Sequence, residues 1–206
     1  MTKYDFLDSF AETEVSNPFP EVTMSRAGLH LMSLIAVPLC AAVLHGQTVP
    51  PAPAAAPDLS DPEVAHVAVT ANNIDIDAAK FAQTRTHNAG VKQFAATMIT
   101  DHTAVNQQAA ALAQKLGVTP KDNAVSQSLQ TGAADARKKL EPLHGTAFDR
   151  AYMDREIAYH QAVLDAIDKV LIPTTENAEL KTLLQNVRPA VATHLEHAKA
   201  LRARLK

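Results

Sequence analysis

From Ser60 to the C-terminus, apolar residues return at alternating intervals of three and four, and that rhythm restricts the chain to packed helices. The longest run is Val91, Ala95, Met98, His102, Val105, Ala109, Leu112 and Leu116, a single stripe along a helix expected from about Ala89 to Leu116. A strand would need alternation at every second residue. Gly117 is placed to cap this helix, with Pro120 shortly after. An earlier stripe, Val64, Val67, Ala71, Ile74, Ala78 and Phe81, follows Ser60-Asp61-Pro62-Glu63. That tetrapeptide has the capping-box pattern and starts a helix running to about Arg85.

Two further stripes complete the set. Met153, Glu156, His160, Val163, Ile167 and Val170 share one face of a helix expected over Thr146 to Ile172, stopped by Pro173. Leu180, Leu184, Val187, Val191, His194, Ala198, Leu201 and Leu205 do the same from roughly Thr175 to Leu205, with a kink expected at Pro189. A less periodic helical stretch, about Ala124 to Leu140, lies between the second and third of these helices. Composition agrees: 47% of residues are apolar, only 4% are aromatic, and there are 6 glycines. The fold class read from this is all-α, a four-helix bundle with an extra helical segment between the second and third main helices.

The N-terminal part has a different character. Residues 31–44, LMSLIAVPLCAAVL, form an uncharged apolar run too short to span a bilayer comfortably and suited to the core of an export signal. Cleavage is expected near Gly46. Five acidic residues precede Met24, which is unusual for a signal, and translation from Met24 would give a normal one. The alternative is a tail followed by a membrane anchor. The domain plan is therefore a leader over 1–46, a Pro/Ala linker over 47–59 containing TVPPAPAAAP, and a helical domain over 60–206. Cys40, the chain's one cysteine, lies inside the leader after Leu39, a poor context for lipidation. The mature part then has no thiol for a disulfide, a metal or catalysis.

Charge narrows function. Residues 1–46 hold two basic and five acidic residues out of totals of 19 and 22, so 47–206 holds 17 of each. A neutral domain has no footprint for nucleic acid. No Ser-His-Asp order, phosphate-cradling glycine loop or zinc-protease motif is present, so no catalytic residue is assigned. The chemistry on offer sits on the seams. Three helices each carry a seam histidine (His102, His160 and His194), Glu156 lies one turn before His160, and Asp75 stands beside the first seam. By helical rise, His194 is expected nearer in height to Glu156 than to His160.

Two readings stay open. In one, Asp75, His102, Glu156, His160 and His194 bind a transition metal, whether iron, copper, zinc or manganese. In the other, they form a buried polar network that fixes helix register in a non-metal envelope stress or interaction module. A di-iron ferroxidase is disfavoured, because Ile99 and Val191 stand three residues before His102 and His194, where such a site needs Glu. Asp101 either orients the neighbouring His102 ring or faces water. His66, His87, His144 and His197 are expected to have no specific role.

The segments FAATMITDH (94–102), HGTAFDRAYM (144–153) and RPAVATHLEHAKAL (188–201) resemble the hallmark segments of a bacterial exported family, domain of unknown function 4142. Its members are commonly labelled outer membrane proteins and placed among ferritin-like folds. The resemblance covers about residues 62–203 and implies a ferritin-like four-helix bundle outside the cytoplasm, periplasmic or envelope-associated, with no established activity. A membrane-associated or envelope partner is consistent with it. Family members usually carry Glu where this chain has Asp75, and often an acid where it has Tyr159.

Overall fold

The computed structural model describes residues 57–206, and all its regular elements are helical. The leader, the Met24 start and most of the linker lie outside the described residues. The elements are α1 (Asp61–Arg85), α2 (Ala89–Leu116), α3 (Ala124–Leu140), α4 (Gly145–Ala166), a π-helical segment (Ile167–Leu171), α5 (Ile172–Thr174) and α6 (Ala178–Arg202). No helix among the described residues is long and apolar enough to cross a membrane.

Local chemistry sets the ends. At α1 the Glu63 carboxylate accepts from both the Ser60 N–H (3.0 Å) and the Ser60 hydroxyl (2.6 Å). Asn88, Asn123 and Asn177 cap α2, α3 and α6, each side-chain oxygen accepting two first-turn N–H groups that would otherwise lack partners. Gly117 ends α2 with φ 64°, the left-handed conformation that glycine adopts without a Cβ penalty.

Cross-helix contacts fix the directions. Asn72 meets Asn106 and Asp75 meets His102, so α1 and α2 run antiparallel. Phe81–Phe148, Asp75–Arg155 and Ala71–Tyr159 make α1 and α4 antiparallel. Arg202–Asp154 and Arg188–Asp168 do the same for α4 and α6. Asp101–His194 and Lys115–Glu179 pair α2 with α6. α2 and α4 therefore run in the same direction, and α3 makes the return trip between them along the outside of α1. It is tied there by His66 Nδ1 and Ser126 Oγ at 2.9 Å, a role for His66 that the sequence did not suggest.

The seams are mostly as read, with three corrections. Asp75 is not beside the first seam but in it, fully buried, while Ile74 is only half-buried. An α-helix turns 3.6 residues per turn, so a strict heptad stripe drifts, and the buried face of α1 passes from Val67 through Asp75 to Ala79 and Ala82. The third helix does not stop at Pro173. It widens into the π-helical segment Ile167–Leu171, where the Ile172 N–H reaches back five residues to the Ile167 carbonyl, and then continues to Thr174. Leu59, assigned to the linker, is buried in the core. Pro189 lies within one unbroken helix on its exposed side.

The core is divided into two apolar clusters. One gathers Phe81, Phe94, Met98, Phe148 and Tyr152 at the α1–α2 turn end, and the other gathers Val64, Val67, Ile167, Leu171 and Leu184 at the opposite end. The layer between them is polar.

Candidate metal centre

That middle layer contains all five residues singled out above, contributed by four helices: Asp75 from α1, His102 from α2, Glu156 and His160 from α4, and His194 from α6. Their exposures are 0% for Asp75 and Glu156, 1% for His160, 5% for His194 and 6% for His102, so the layer is withdrawn from bulk solvent. The three histidine rings lie 5.3–5.9 Å apart, centre to centre. Donor atoms of His102, His160 and His194 fall within 4.8 Å of one another, and so do those of Asp75, Glu156 and His160.

His194 thus stands level with His160, not nearer Glu156 as helical rise alone suggested. The reason is register: the pairs Arg202–Asp154 and Arg188–Asp168 set α6 against α4 so that position 194 lies opposite position 162, two residues from His160 and six from Glu156.

Each ring is held through one nitrogen. The His102 Nδ1–H donates to Asn72 Oδ1 (2.8 Å), the His160 Nδ1–H to the Glu156 main-chain carbonyl (2.9 Å), and the His194 Nε2–H to Asp101 Oδ2 (2.9 Å). Asn72 is itself oriented, because its amide donates to Asn106 Oδ1, and the Asn106 amide in turn donates to Asn73 Oδ1. These acceptors place the ring protons. The remaining nitrogens, His102 Nε2, His160 Nε2 and His194 Nδ1, are buried and have no hydrogen-bond partner. Each carries a lone pair into the centre.

The carboxylates repeat the pattern. One Arg155 nitrogen donates to Asp75 Oδ1 and to Glu156 Oε1, both at 2.6 Å, while its guanidinium stacks 4.2 Å from the Tyr159 ring centre. The second oxygens, Asp75 Oδ2 and Glu156 Oε2, are buried without partners. Asp75 Oδ2 lies 3.1 Å from His102 Nε2 and 3.8 Å from His160 Nε2. With neutral rings whose protons are committed elsewhere these approaches set acceptor against acceptor, and a second proton on His102 would turn the 3.1 Å contact into a hydrogen bond. Glu156 Oε2 is 3.5 Å from His160 Nδ1, on the opposite edge of that ring.

Electrostatics sharpen the picture. Burial alone would raise the Asp75 carboxyl, but the closeness of His102, His160 and Arg155 outweighs it and holds the group well below the usual carboxylate range. Burial pushes Glu156 well up, and the Asp75 charge pushes it further against the pull of Arg155. Burial pulls His160 down to about 4 and lowers His194 as well, against the bond to Asp101. Neutral His160 and His194 rings at neutral pH keep their lone pairs free for a cation. Burial also raises the Tyr152 and Tyr159 phenols, which stay protonated. Tyr159 donates to the Ala71 carbonyl at 2.8 Å.

Sequence reasoning assigned Asp101 to His102 or to water, whereas it holds His194 on another helix. Successive helical residues point about 100° apart, so adjacency to His102 carried no information about its ring. Asn72 and Arg155 were missed altogether. Asn72 stands one turn before Asp75 and Arg155 adjoins a seam glutamate, but their partners His102 and Asp75 lie on other helices and leave no sign in the local spacing. His197, by contrast, is exposed as expected, its ring edge-on to Phe94 at 5.2 Å.

With the geometry in place, a family model described as "Domain of unknown function (DUF4142)" matches residues 47–201, about three quarters of the chain. The chain belongs to this family. Neither the curated proteins nor the solved structures yield a match. The family description assigns no activity.

Proposed function

We propose that this protein binds one transition-metal ion in the middle of a ferritin-like four-helix bundle. The donors are His102 Nε2, His160 Nε2, His194 Nδ1 and Asp75 Oδ2, with the Glu156 carboxylate beside them. One observation carries the reading: four buried acceptor atoms converge with no donor among them, while the opposite atom of each residue is already bonded. An acceptor-only cage is unfavourable without a cation, since buried polar groups cost free energy when unpartnered. Metal-bound histidines characteristically give their second N–H to a carbonyl or carboxylate, as all three rings do here.

Imidazole with carboxylate suits iron, zinc, copper or manganese. Tetrahedral ligands at about 2.0 Å from a metal stand roughly 3.3 Å apart, so the three histidine donors, within 4.8 Å of one another, would draw together, while Asp75 Oδ2 lies 3.1 Å from His102 Nε2 and 3.8 Å from His160 Nε2. The leader and the family resemblance support an exported, envelope-side protein. The other reading keeps the histidines as a purely structural network, but such a network should pair its acceptors with donors.

The deciding experiment is the metal content of the purified full-length chain, without a histidine tag, followed by melting with added iron, copper, zinc or manganese. Near-stoichiometric metal that disappears in His102→Ala and His160→Ala is the expected result. No metal and no stabilisation by any of the four would sink the proposal and leave the structural network.

A further inference from the structure

The helical domain is neutral as a whole, but its charge is not evenly spread. The polar layer divides it into two halves. The half with the α1–α2 turn comprises residues 76–100, 133–154 and 195–206, and holds eleven basic and six acidic residues. The opposite half, residues 57–74, 103–132 and 161–193, holds five basic and eight acidic ones. Ion pairing leaves the excess standing. In the basic half Asp77, Asp135, Glu141, Asp154 and Glu196 each form a salt bridge with a cation of that half. Its remaining acid, Asp149, is buried. Lys92, Lys139, Arg150 and Arg204 are exposed there and have no carboxylate partner among the described residues. They sit on helix ends that meet: Phe81 packs on Phe148 and beneath the Arg137 guanidinium (3.5 Å), and Gly90 lies against Leu201. Cations in the last turn of a helix complement its dipole, which accounts for Arg85, Lys139 and Lys199. It does not account for Lys92, in the first turn of α2, where a cation is unfavourable. Nor does it account for Arg150, in the second turn of α4, where the dipole has faded. The bias belongs to this end of the molecule and not to its single helices.

We propose that this basic end docks electrostatically on an anionic lipid bilayer. Two observations select the bilayer among polyanionic partners. The aromatic residues of the domain, Phe81, Phe94, Phe148, Tyr152 and Tyr159, are all buried or half-buried, so no ring is presented for a nucleic-acid base to stack on. The leucines at this end, Leu140, Leu201 and Leu205, are buried as well. The surface therefore lacks the apolar centre around which a specific protein interface is built. What it presents is a set of long cations on several helix ends, without a groove or an apolar anchor. That matches a partner offering negative charge without fixed shape, as a layer of anionic headgroups does. Such adsorption is reversible and screened by salt. The charge separation also orients the domain, with the acidic half, and Ser60 at the start of α1, turned away from the bilayer. Docking of this kind does not require the metal.

The test is sedimentation of the purified full-length chain with vesicles of phosphatidylcholine alone or with about one third phosphatidylglycerol. At low salt the anionic vesicles should bind roughly tenfold tighter or more. That preference should fade as salt approaches about 1 M, where the screening length is roughly 3 Å. The apolar run of the leader would contribute to both vesicle types alike, so the difference between them isolates the charge. Lys92→Glu, Lys139→Glu and Arg150→Glu together should abolish the preference, and Gln at the same three positions reads the same loss if the first variant folds poorly. Lys115→Glu, Lys169→Glu and Lys181→Glu make the same change of net charge in the opposite half and should keep it. Equal binding to both vesicle types, or a preference that survives the first triple variant, overturns the proposal. Equal loss in both triple variants overturns it too, because net charge and not this end would then be responsible. Duplex DNA that displaces the protein from vesicles at matched phosphate concentration would reassign the surface to nucleic acid.

Discussion

Three side chains that touch no metal decide whether the five central residues can hold one. Arg155 is the clearest case, because one of its nitrogens donates to both Asp75 and Glu156. Removing one partner of a buried ionic group costs about 3–5 kcal/mol, since the remaining charge is stranded. Arg155→Met should therefore destabilise the protein by roughly 3 kcal/mol in urea melts, with part of the loss recovered on metal addition. Asp101 predicts the opposite balance. Its side chain is 45% exposed, so Asp101→Ala should change stability little, but it frees the His194 ring. Loss of an outer hydrogen-bond partner typically lowers metal affinity roughly 10–100-fold, and competition with a metal-chelating dye would measure it. Unchanged affinity would mean that His194 is not a ligand. This contrast also explains what the sequence disclosed. His102, His160, Glu156 and His194 stood out because they interrupt apolar stripes, a local pattern. Arg155, Asn72 and the true partner of Asp101 act across helices, and no spacing within one helix encodes such contacts.

At the scale of helices, the chain was more legible, because caps and stops are local chemistry. The Ser60–Glu63 box, the Gly117 cap and the extra helix over Ala124–Leu140 lie where the residues put them. The π-helical segment was not legible: Pro173 announced a stop, whereas the helix instead absorbs the disruption by widening one turn upstream. The capping box carries a pH prediction. Hydrogen bonds from the Ser60 side chain and backbone, with help from Lys121, bring Glu63 from 4.5 down to about 2 in the folded state. A carboxyl whose pKa is depressed on folding stabilises the protein above its unfolded value, and that contribution fades as pH falls through the folded value. Glu63→Gln should thus be less stable than the natural chain at pH 7, with the gap closing between about pH 4.5 and 2. Thermal melts across that interval would show it, and a gap independent of pH would assign the cap's effect to packing.

For the whole molecule, the organisation is two apolar clusters, a polar layer between them, and a cleft that hollows one of the two. Native interiors are close-packed, so a cleft of 110 Å³ is apolar surface that larger side chains at a few alanines would cover. The periodicity of α2 did not reveal this. A half-buried Leu112 and a buried Met98 read identically in a stripe. Ala68, Ala109 and Ala113 line the cleft, and filling it should stabilise the protein. Ala109→Leu should raise the midpoint of ligand-free thermal unfolding by about 2–4 °C, the shift expected for roughly 1 kcal/mol in a domain of this size. Calorimetry of the two chains without metal would measure the difference. A lower midpoint would mean that the surrounding helices already close on the space in solution, so that the longer side chain at position 109 overpacks it. The small wall residues would then serve close helix contact.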